Sequence, residues 1–205
     1  MTSAAPPWLQ GRPDIWRWGE RPALVVPGVP TGFPELDAAL PGAGWPADGL
    51  SEILSDSPAA FALALPALAR LSREAARWLL LVAPPWIPYA PDLLHRGVDP
   101  RRLLVIRAGE TDALWAAEQS LRSGAAGLVL LWAEPREPTL VRRLQLAAQA
   151  GRTPLLLFRS EIAARRPSPA ALRLRVGPAR DGTRLELEVL KCRGGPVRRL
   201  SRCSA

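Results

Sequence analysis

The sequence is poor in the residue types on which most catalytic and metal sites depend. Among 205 residues it has one histidine, His95, and two cysteines, Cys192 and Cys203. Zinc sites and disulfide frameworks need more of these residues at defined spacings. A serine nucleophile elbow of the GxSxG type is also missing, and the acidic residues do not group into an acid–base pair. We therefore expect a protein without enzymatic activity, metal or cofactor.

Long apolar runs are also missing from the sequence. No uncharged apolar stretch reaches the roughly 18 residues that a membrane span needs. The first residues do not combine a basic start with an apolar stretch, which is the pattern of a signal peptide. These features predict a cytoplasmic protein that does not engage a membrane, and a chain of this length most simply forms one core domain.

The net charge of +8 is concentrated near the C-terminus. Residues 165–205 carry eleven basic and three acidic side chains, whereas the preceding residues balance. We predict a separate basic tail over residues 191–205, whose basic side chains flank a Gly-Gly-Pro sequence: Lys191, Arg193, Arg198, Arg199 and Arg202. Such a tail can neutralise DNA phosphates, dock on an acidic protein surface, or remain solvated and disordered. The sequence leaves these three interpretations open.

Eight tryptophans lie within residues 1–132, three of them in the first eighteen residues. Residues 1–30 are rich in proline and tryptophan without periodicity, and we interpret them as an N-terminal arm. Trp16 and Trp18 stand beside arginine, a chemistry typical of interface hot spots and of stacking surfaces for single-stranded DNA, although a packed arm fits equally. Trp86 is expected on a loop. Three others are expected in the core because they fall on predicted strands or helices: Trp78, Trp115 and Trp132.

The middle of the chain, residues 31–190, alternates between predicted strands and helices. Apolar strands are expected at 50–55, 78–83, 102–107, 127–132 and 153–158, with helices at 58–76, 89–96, 110–123 and 137–150. Pro66 is expected to kink the first of these helices. Alternation at this spacing predicts an α/β fold with a mostly parallel central sheet covered on both faces. Residues 171–176 and 184–190 alternate with period two around Asp181-Gly182, which predicts a C-terminal antiparallel hairpin.

Two stretches resemble RecA-type recombinases. Residues 31–54 read TGFPELDAALPGAGWPADGLSEIL, like the approach to the phosphate-binding loop of that family. Residues 96–133 include GVD, LLV and RSGA in the family's order. The resemblance implies a RecA-like three-layer core.

The residues that follow the first stretch depart from the family. Where the family has GxxxxGK[ST], this chain has SDSPAAFA: Ser55, Asp56, Ser57, Pro58, Ala59, Ala60, Phe61 and Ala62. Phe61 stands in the place of the lysine, Trp132 in that of the acid that supports magnesium, and Pro84-Pro85 near that of the catalytic carboxylate. We therefore interpret the loop as degenerate, with Asp56 or Ser57 capping an ordinary helix before Pro58.

Within this superfamily the chain most resembles the ImuA proteins. The resemblance rests on DIWRWGE, VAPP followed by PYAP, DALWAAEQ, RRLQLAA, SPAALRL and the EVLK–RGGP tail. It implies a non-catalytic accessory protein of SOS-induced translesion DNA synthesis that binds an ImuB-type polymerase-like protein. RecA is a second candidate partner, and DNA a third through the basic tail. The alternative is a division inhibitor of the SulA type, which shares the fold, also lacks the phosphate loop and binds the tubulin-like ring protein.

Overall fold

One large sheet organises the chain. The computed structural model describes residues 27–74, 76–178, 185–195 and 198–203. Within these residues an eight-stranded sheet has the order β3-β2-β4-β5-β1-β6-β7-β8. The strands, in chain order, are β1 Leu50–Leu54, β2 Trp78–Val82, β3 Leu103–Ile106, β4 Ala126–Trp132, β5 Leu155–Arg159, β6 Leu172–Pro178, β7 Leu185–Cys192 and β8 Arg198–Cys203. The α-helices are α1 Pro34–Ala39, α2 Leu65–Glu74, α3 Ala90–His95, α4 Glu110–Arg122 and α5 Pro138–Gly151.

Strands β1 to β6 all run in the same direction, whereas the β6–β7 and β7–β8 pairings are antiparallel. The inner parallel strands consist of consecutive apolar residues because both of their faces are covered. One face packs against α1, α2 and the 3-10 segment Pro58–Ala64, and the other packs against α4 and α5. The predicted α/β class, the mostly parallel sheet and the antiparallel hairpin of β6 and β7 are confirmed.

The helix predicted over residues 58–76 has two parts. Pro58–Ala64 is a 3-10 helix, and the α-helix α2 runs from Leu65 to Glu74. Pro66 is the second residue of α2, so the helix changes from 3-10 to α-helical geometry directly before the proline.

The basic C-terminal segment contributes to the sheet. Arg198–Cys203 forms β8, which pairs antiparallel with β7 along register positions from Val189↔Arg198 to Leu185↔Cys203. Lys191 and Cys192 already belong to β7. Strand β8 thus forms the outer edge of the sheet. Among the helices of the described residues, none is both long and apolar enough to cross a bilayer.

Two of the three tryptophans expected in the core lie on the surface. The side chain of Trp78 is 42% exposed at the start of β2, and that of Trp115 is 63% exposed on α4. Helix α4 turns Ala113, Ala117 and Leu121 toward the sheet at intervals of four residues, which places Trp115 on the opposite face. The prediction that these two residues belong to the core is wrong.

Candidate functional site at the carboxyl edge of the parallel sheet

Loops from neighbouring parallel strands meet at one edge of the sheet. β1, β2, β4 and β5 all end at this edge, because parallel strands share a direction. In open α/β sheets, ligands bind in the crevice outside the carboxyl ends of the strands. The segments that follow these four strands therefore define the candidate site.

The loop after β1 is an ordinary helix start. Ser57 is the N-cap of the 3-10 helix, and its Oγ accepts a hydrogen bond from Ala59 N at 3.3 Å. Ser55 Oγ accepts from Ser57 N at 3.1 Å, and Pro58 has no N–H to offer. The predicted capping role of Ser57 is confirmed. The N–H groups of Ser57, Ala59 and Ala60 are thus bonded within the turn, and Pro58 has none.

Asp56 connects this turn to the segment after β5. Its Oδ1 accepts hydrogen bonds from Ser160 Oγ at 2.7 Å and from Glu161 N at 3.1 Å. The hydrogen bond from Ser160, followed by that from the Glu161 backbone, lowers the pKa of Asp56 below its usual value. The carboxylate therefore acts as a tie between two loops.

An aromatic cluster occupies the α2 side of the edge, formed by Phe61, Trp86, Trp132 and Phe158. Trp132 stacks on Phe158 with ring centroids 4.7 Å apart and planes inclined by 9°. Phe61, Trp86 and Trp132 contact one another with centroid separations of 5.7–5.9 Å. At these separations the rings touch, so they form packed apolar surface and leave no cage between them.

The chemistry of the cluster differs from that of a nucleotide site. Phe61 and Trp132 stand where the resemblance to recombinases places a lysine and an acid, and both contribute apolar rings. Phosphate and magnesium need charged donors and oxygen ligands, which rings do not supply. Among the described residues, no group of three or more His, Cys, Asp or Glu side chains could hold a metal ion. This part of the edge is suited to packing and to apolar contact.

A buried ionic cluster occupies the opposite side of the same edge. Glu52 on β1 is fully buried, and its Oε1 lies 2.8 Å from Arg159 Nη1 on β5. Its Oε2 lies 2.5 Å from Arg173 Nε on β6. Both arginine side chains are less than one tenth exposed. In the sequence, Glu52 is only one of the residues in the stretch 31–54 that resembles the recombinases. No pattern in the sequence predicts that two buried arginines pair with it.

The arginines of this cluster also hold the neighbouring loops. Arg173 donates to the carbonyls of Ala163 and Arg166 at 2.8 and 2.9 Å. Arg159 donates to the Pro135 carbonyl at 3.0 Å. The loops that follow β4 and β5 are thus fixed to the sheet by charge-assisted hydrogen bonds.

The loop between β2 and α3 presents apolar side chains to solvent. Trp86 is half-buried in the aromatic cluster, whereas Ile87 is 74% exposed and Tyr89 is 71% exposed. Prolines restrict the loop at three positions, Pro84, Pro85 and Pro88. The anchored indole and the prolines hold Ile87 and Tyr89 in place, although both remain open to a partner.

The basic residues singled out in the sequence lie elsewhere. Lys191 Nζ donates to the Ser168 carbonyl at 2.7 Å, and burial, with smaller contributions from Arg193 and Arg173, lowers the pKa of its amine. Arg193 is exposed. Three other basic residues belong to β8, whose backbone alone is described: Arg198, Arg199 and Arg202. Trp16 and Trp18 lie outside the described residues. The role of all these residues in binding a partner or DNA stays a prediction.

Comparison with known proteins finds division inhibitors. The chain is 37% identical over 100 residues to the cell division inhibitor SulA of Edwardsiella piscicida, covering 48% of this chain and 60% of that protein. It is 35% identical over 99 residues to SulA of Pseudomonas aeruginosa strain PAO1, covering 47% of this chain and 62% of that protein. The chain thus spans about three fifths of the length of these relatives. No protein-family profile matches it.

Among solved structures, the chain matches the crystal structure of SulA from Pseudomonas aeruginosa. Sequence identity is 35%, the TM-score is 0.47, and the match covers 54% of this chain and 97% of that one.

These relatives overturn the resemblance to ImuA. Both curated relatives are named cell division inhibitors. The assignment to the ImuA proteins, the role in translesion synthesis and mutagenesis, and the partners inferred from it, an ImuB-type protein and RecA, are therefore wrong. The alternative reading, a SulA-type inhibitor, is the one that the relatives favour.

Proposed function

We propose that this chain inhibits cell division by binding another protein, as a SulA-type inhibitor without enzymatic activity. The observation that carries the proposal is its identity of 37% and 35% to two proteins named for that activity. The resemblance to SulA-type proteins stated above implies the tubulin-like ring protein as the partner and the cytoplasm as the place of action. A RecA-like origin of the core is part of the same proposal, supported by the ordered motifs in residues 31–54 and 96–133.

The chemistry of the carboxyl edge supports binding over catalysis. The turn after β1 uses its serine hydroxyls and N–H groups within itself, and aromatic rings stand where a nucleotide would need charged groups. The charged cluster around Glu52 is buried and hydrogen-bonded to backbone carbonyls, so it is not free to react with a substrate.

The proline-rich loop after β2 is the surface that we propose meets the partner. Ile87 and Tyr89 each expose about seven tenths of their side chains, and Trp86 anchors the loop beside them. Exposed apolar and aromatic side chains that are held in place are typical of interface hot spots. A rigid loop also loses little conformational entropy on binding.

Two measurements test the function and the surface together. Expression of the chain in bacterial cells is expected to give filaments, and the purified chain is expected to reduce the sedimentable polymer of the tubulin-like ring protein in GTP. The double variant Ile87→Asp/Tyr89→Asp is expected to lose both effects, because it places charges in the proposed contact. Its fold should be unchanged, since both side chains are exposed.

A matched control carries the same two charges elsewhere. Trp115→Asp/Leu146→Asp alters side chains on α4 and α5 that are 63% and 48% exposed, and we expect it to inhibit like the wild type. If the wild-type chain leaves division and polymer unchanged, the proposed function is wrong. If the wild type inhibits and the loop variant inhibits equally well, the function stands and the proposed surface is wrong.

A further inference from the structure

Strand β3 has the composition of an inner strand and the position of an edge strand. Its four residues, Leu103–Ile106, are all apolar, and it pairs on one side only, with β2. Inner parallel strands have such composition because they are covered on both faces. Here Leu104 and Val105 are 42% and 43% exposed. Since consecutive residues of a strand point to opposite faces, the edge is open on both of them.

The backbone of β3 also has open hydrogen-bonding positions. The Ile106 carbonyl accepts from Ala83 N at 2.7 Å, which turns the backbone groups of Ile106 and Leu104 toward β2. The N–H and C=O groups of Leu103 and Val105 therefore point away from the sheet. The Leu103 N–H already donates to the Pro100 carbonyl in the turn before the strand. Within the described residues, the Leu103 carbonyl and both backbone groups of Val105 have no backbone partner. An extended segment can pair with them.

Arginines stand at both ends of this edge. Arg101 precedes β3 and Arg107 follows it, and both are exposed. Neither has an acidic side chain within 4.0 Å among the described residues. The nearest carboxylate in sequence, that of Asp99, accepts from Arg101 N at 3.0 Å and thus serves the local turn. Arg102 is engaged differently, since its Nη1 donates to the Ala76 carbonyl.

We propose that the β3 edge binds an extended acidic segment of a partner protein, which adds to the sheet as a further strand. Its backbone pairs with both groups of Val105 and with the Leu103 carbonyl, its apolar side chains cover Leu104 and Val105, and its carboxylates meet Arg101 and Arg107. The proposal concerns an edge separate from the loop of Ile87 and Tyr89, and it does not depend on the function proposed above.

The charges on the chain argue against an occupant from the protein itself. Two copies joined through β3 bring the same arginines together, and like charges at a strand pair are destabilising. Residues 1–26 carry three arginines and two acidic side chains, and the last fifteen residues are strongly basic. An acidic segment from another protein therefore complements the arginines of this edge better than a second copy of the chain or one of its own terminal segments.

Fluorescence anisotropy with three labelled octapeptides and the full chain tests the proposal. The first alternates valine with glutamate, the second replaces glutamate by lysine, and the third is the glutamate peptide N-methylated at alternate residues. We expect the glutamate peptide to bind, and the other two to bind at least about tenfold more weakly, because one loses the charge match and the other the backbone donors.

Variants of the chain locate the site. Arg101→Glu/Arg107→Glu is expected to weaken binding of the glutamate peptide about tenfold, while Arg136→Glu/Arg142→Glu, the same charge change at exposed positions on other segments, is expected to weaken it less than about threefold. Val105→Pro is expected to abolish binding. Because the Val105 N–H points outward, proline removes a donor there without breaking the ladder to β2, and circular dichroism checks the fold.

Three results would overturn the proposal. The first is equal binding of the parent and N-methylated peptides, which would mean that charge alone attracts them. The second is equal loss of affinity in the two double-arginine variants. The third is a dimer in sedimentation that Val105→Pro dissociates, which would assign the edge to a second copy of the chain.

Discussion

Replacing Glu52 by glutamine tests how the buried ionic cluster stabilises the fold. The carboxylate is fully buried between Arg159 and Arg173, whose side chains are 8% and 7% exposed. Glutamine keeps the shape of the side chain, but it removes the negative charge and turns an NH2 group toward a guanidinium that donates only. Arg173 then has no carboxylate partner in a site that water does not reach, whereas Arg159 keeps Glu134, whose Oε2 lies 3.3 Å from its Nε.

The expected loss of stability is large. Removing one partner of a buried ion pair costs about 3–5 kcal/mol, because the remaining charge is left uncompensated. A domain of this size is stable by roughly 5–15 kcal/mol, so Glu52→Gln removes about a fifth or more of the free energy of unfolding. With a urea m-value of about 2–3 kcal/mol/M, the midpoint of unfolding is expected to fall by about 1–2.5 M at an unchanged m-value.

Glu118 on α4 provides a matched control. It also pairs with two arginines, Arg122 at 3.1 Å and Arg143 at 2.5 Å, but these partners are 52% and 58% exposed. Water solvates them after the glutamate is neutralised, so Glu118→Gln is expected to cost about 1 kcal/mol or less. Urea unfolding followed by circular dichroism measures both variants. Equal shifts of the two midpoints would refute the reasoning, because burial of the partners would then make no difference.

Three further predictions concern the carboxyl edge. Trp132→Ala is expected to lower the free energy of unfolding by about 3–5 kcal/mol and to reduce the near-ultraviolet dichroism, because it removes a ring from the aromatic cluster. The control Trp115→Ala, at an exposed position, is expected to cost less than about 0.5 kcal/mol. Similar losses in the two variants would contradict the packing described. The hydrogen bond from Ser160 lowers the pKa of Asp56, so the ionised carboxylate stabilises the folded state. The wild type is therefore expected to be more stable than Asp56→Asn above about pH 4, and the difference in stability should shrink as the pH falls through the depressed pKa. A difference that grows in acid would contradict the assignment. Calorimetric titration with Mg-ATP is expected to give no binding heat, because the turn at Pro58 offers no phosphate cradle; tight binding would refute this view of the site.

The arrangement of strands could be predicted because each inner strand is a short apolar run bounded by turn residues. The runs at Leu79–Val82 and Leu128–Leu131 are buried on both faces, as their composition implies. The same rule failed to identify β3 as an edge, since its composition matches that of an inner strand. The rule of apolar runs also does not predict that Arg198–Cys203 forms a strand paired with β7, because most of these residues are polar, as in a solvated tail.

The candidate site was only partly accessible from the sequence. Local residue types are enough to show that Phe61 replaces the lysine of a phosphate loop and to predict Ser57 as a helix cap. The structure confirms the cap. The aromatic cluster joins residues that are far apart in the chain and that meet only once the parallel strands are paired. The partners of Glu52 come from β5 and β6, and no local pattern reveals a pairing across more than one hundred residues.

The tie between Glu52 and the loops beyond β4 and β5 has a consequence for molecular recognition. Because Arg159 and Arg173 fasten those loops to the sheet during folding, the edge is already in one shape before any encounter. Binding of a partner at this edge is therefore expected to need little structural change, and differences in affinity among variants are expected chiefly in the dissociation rate of the complex.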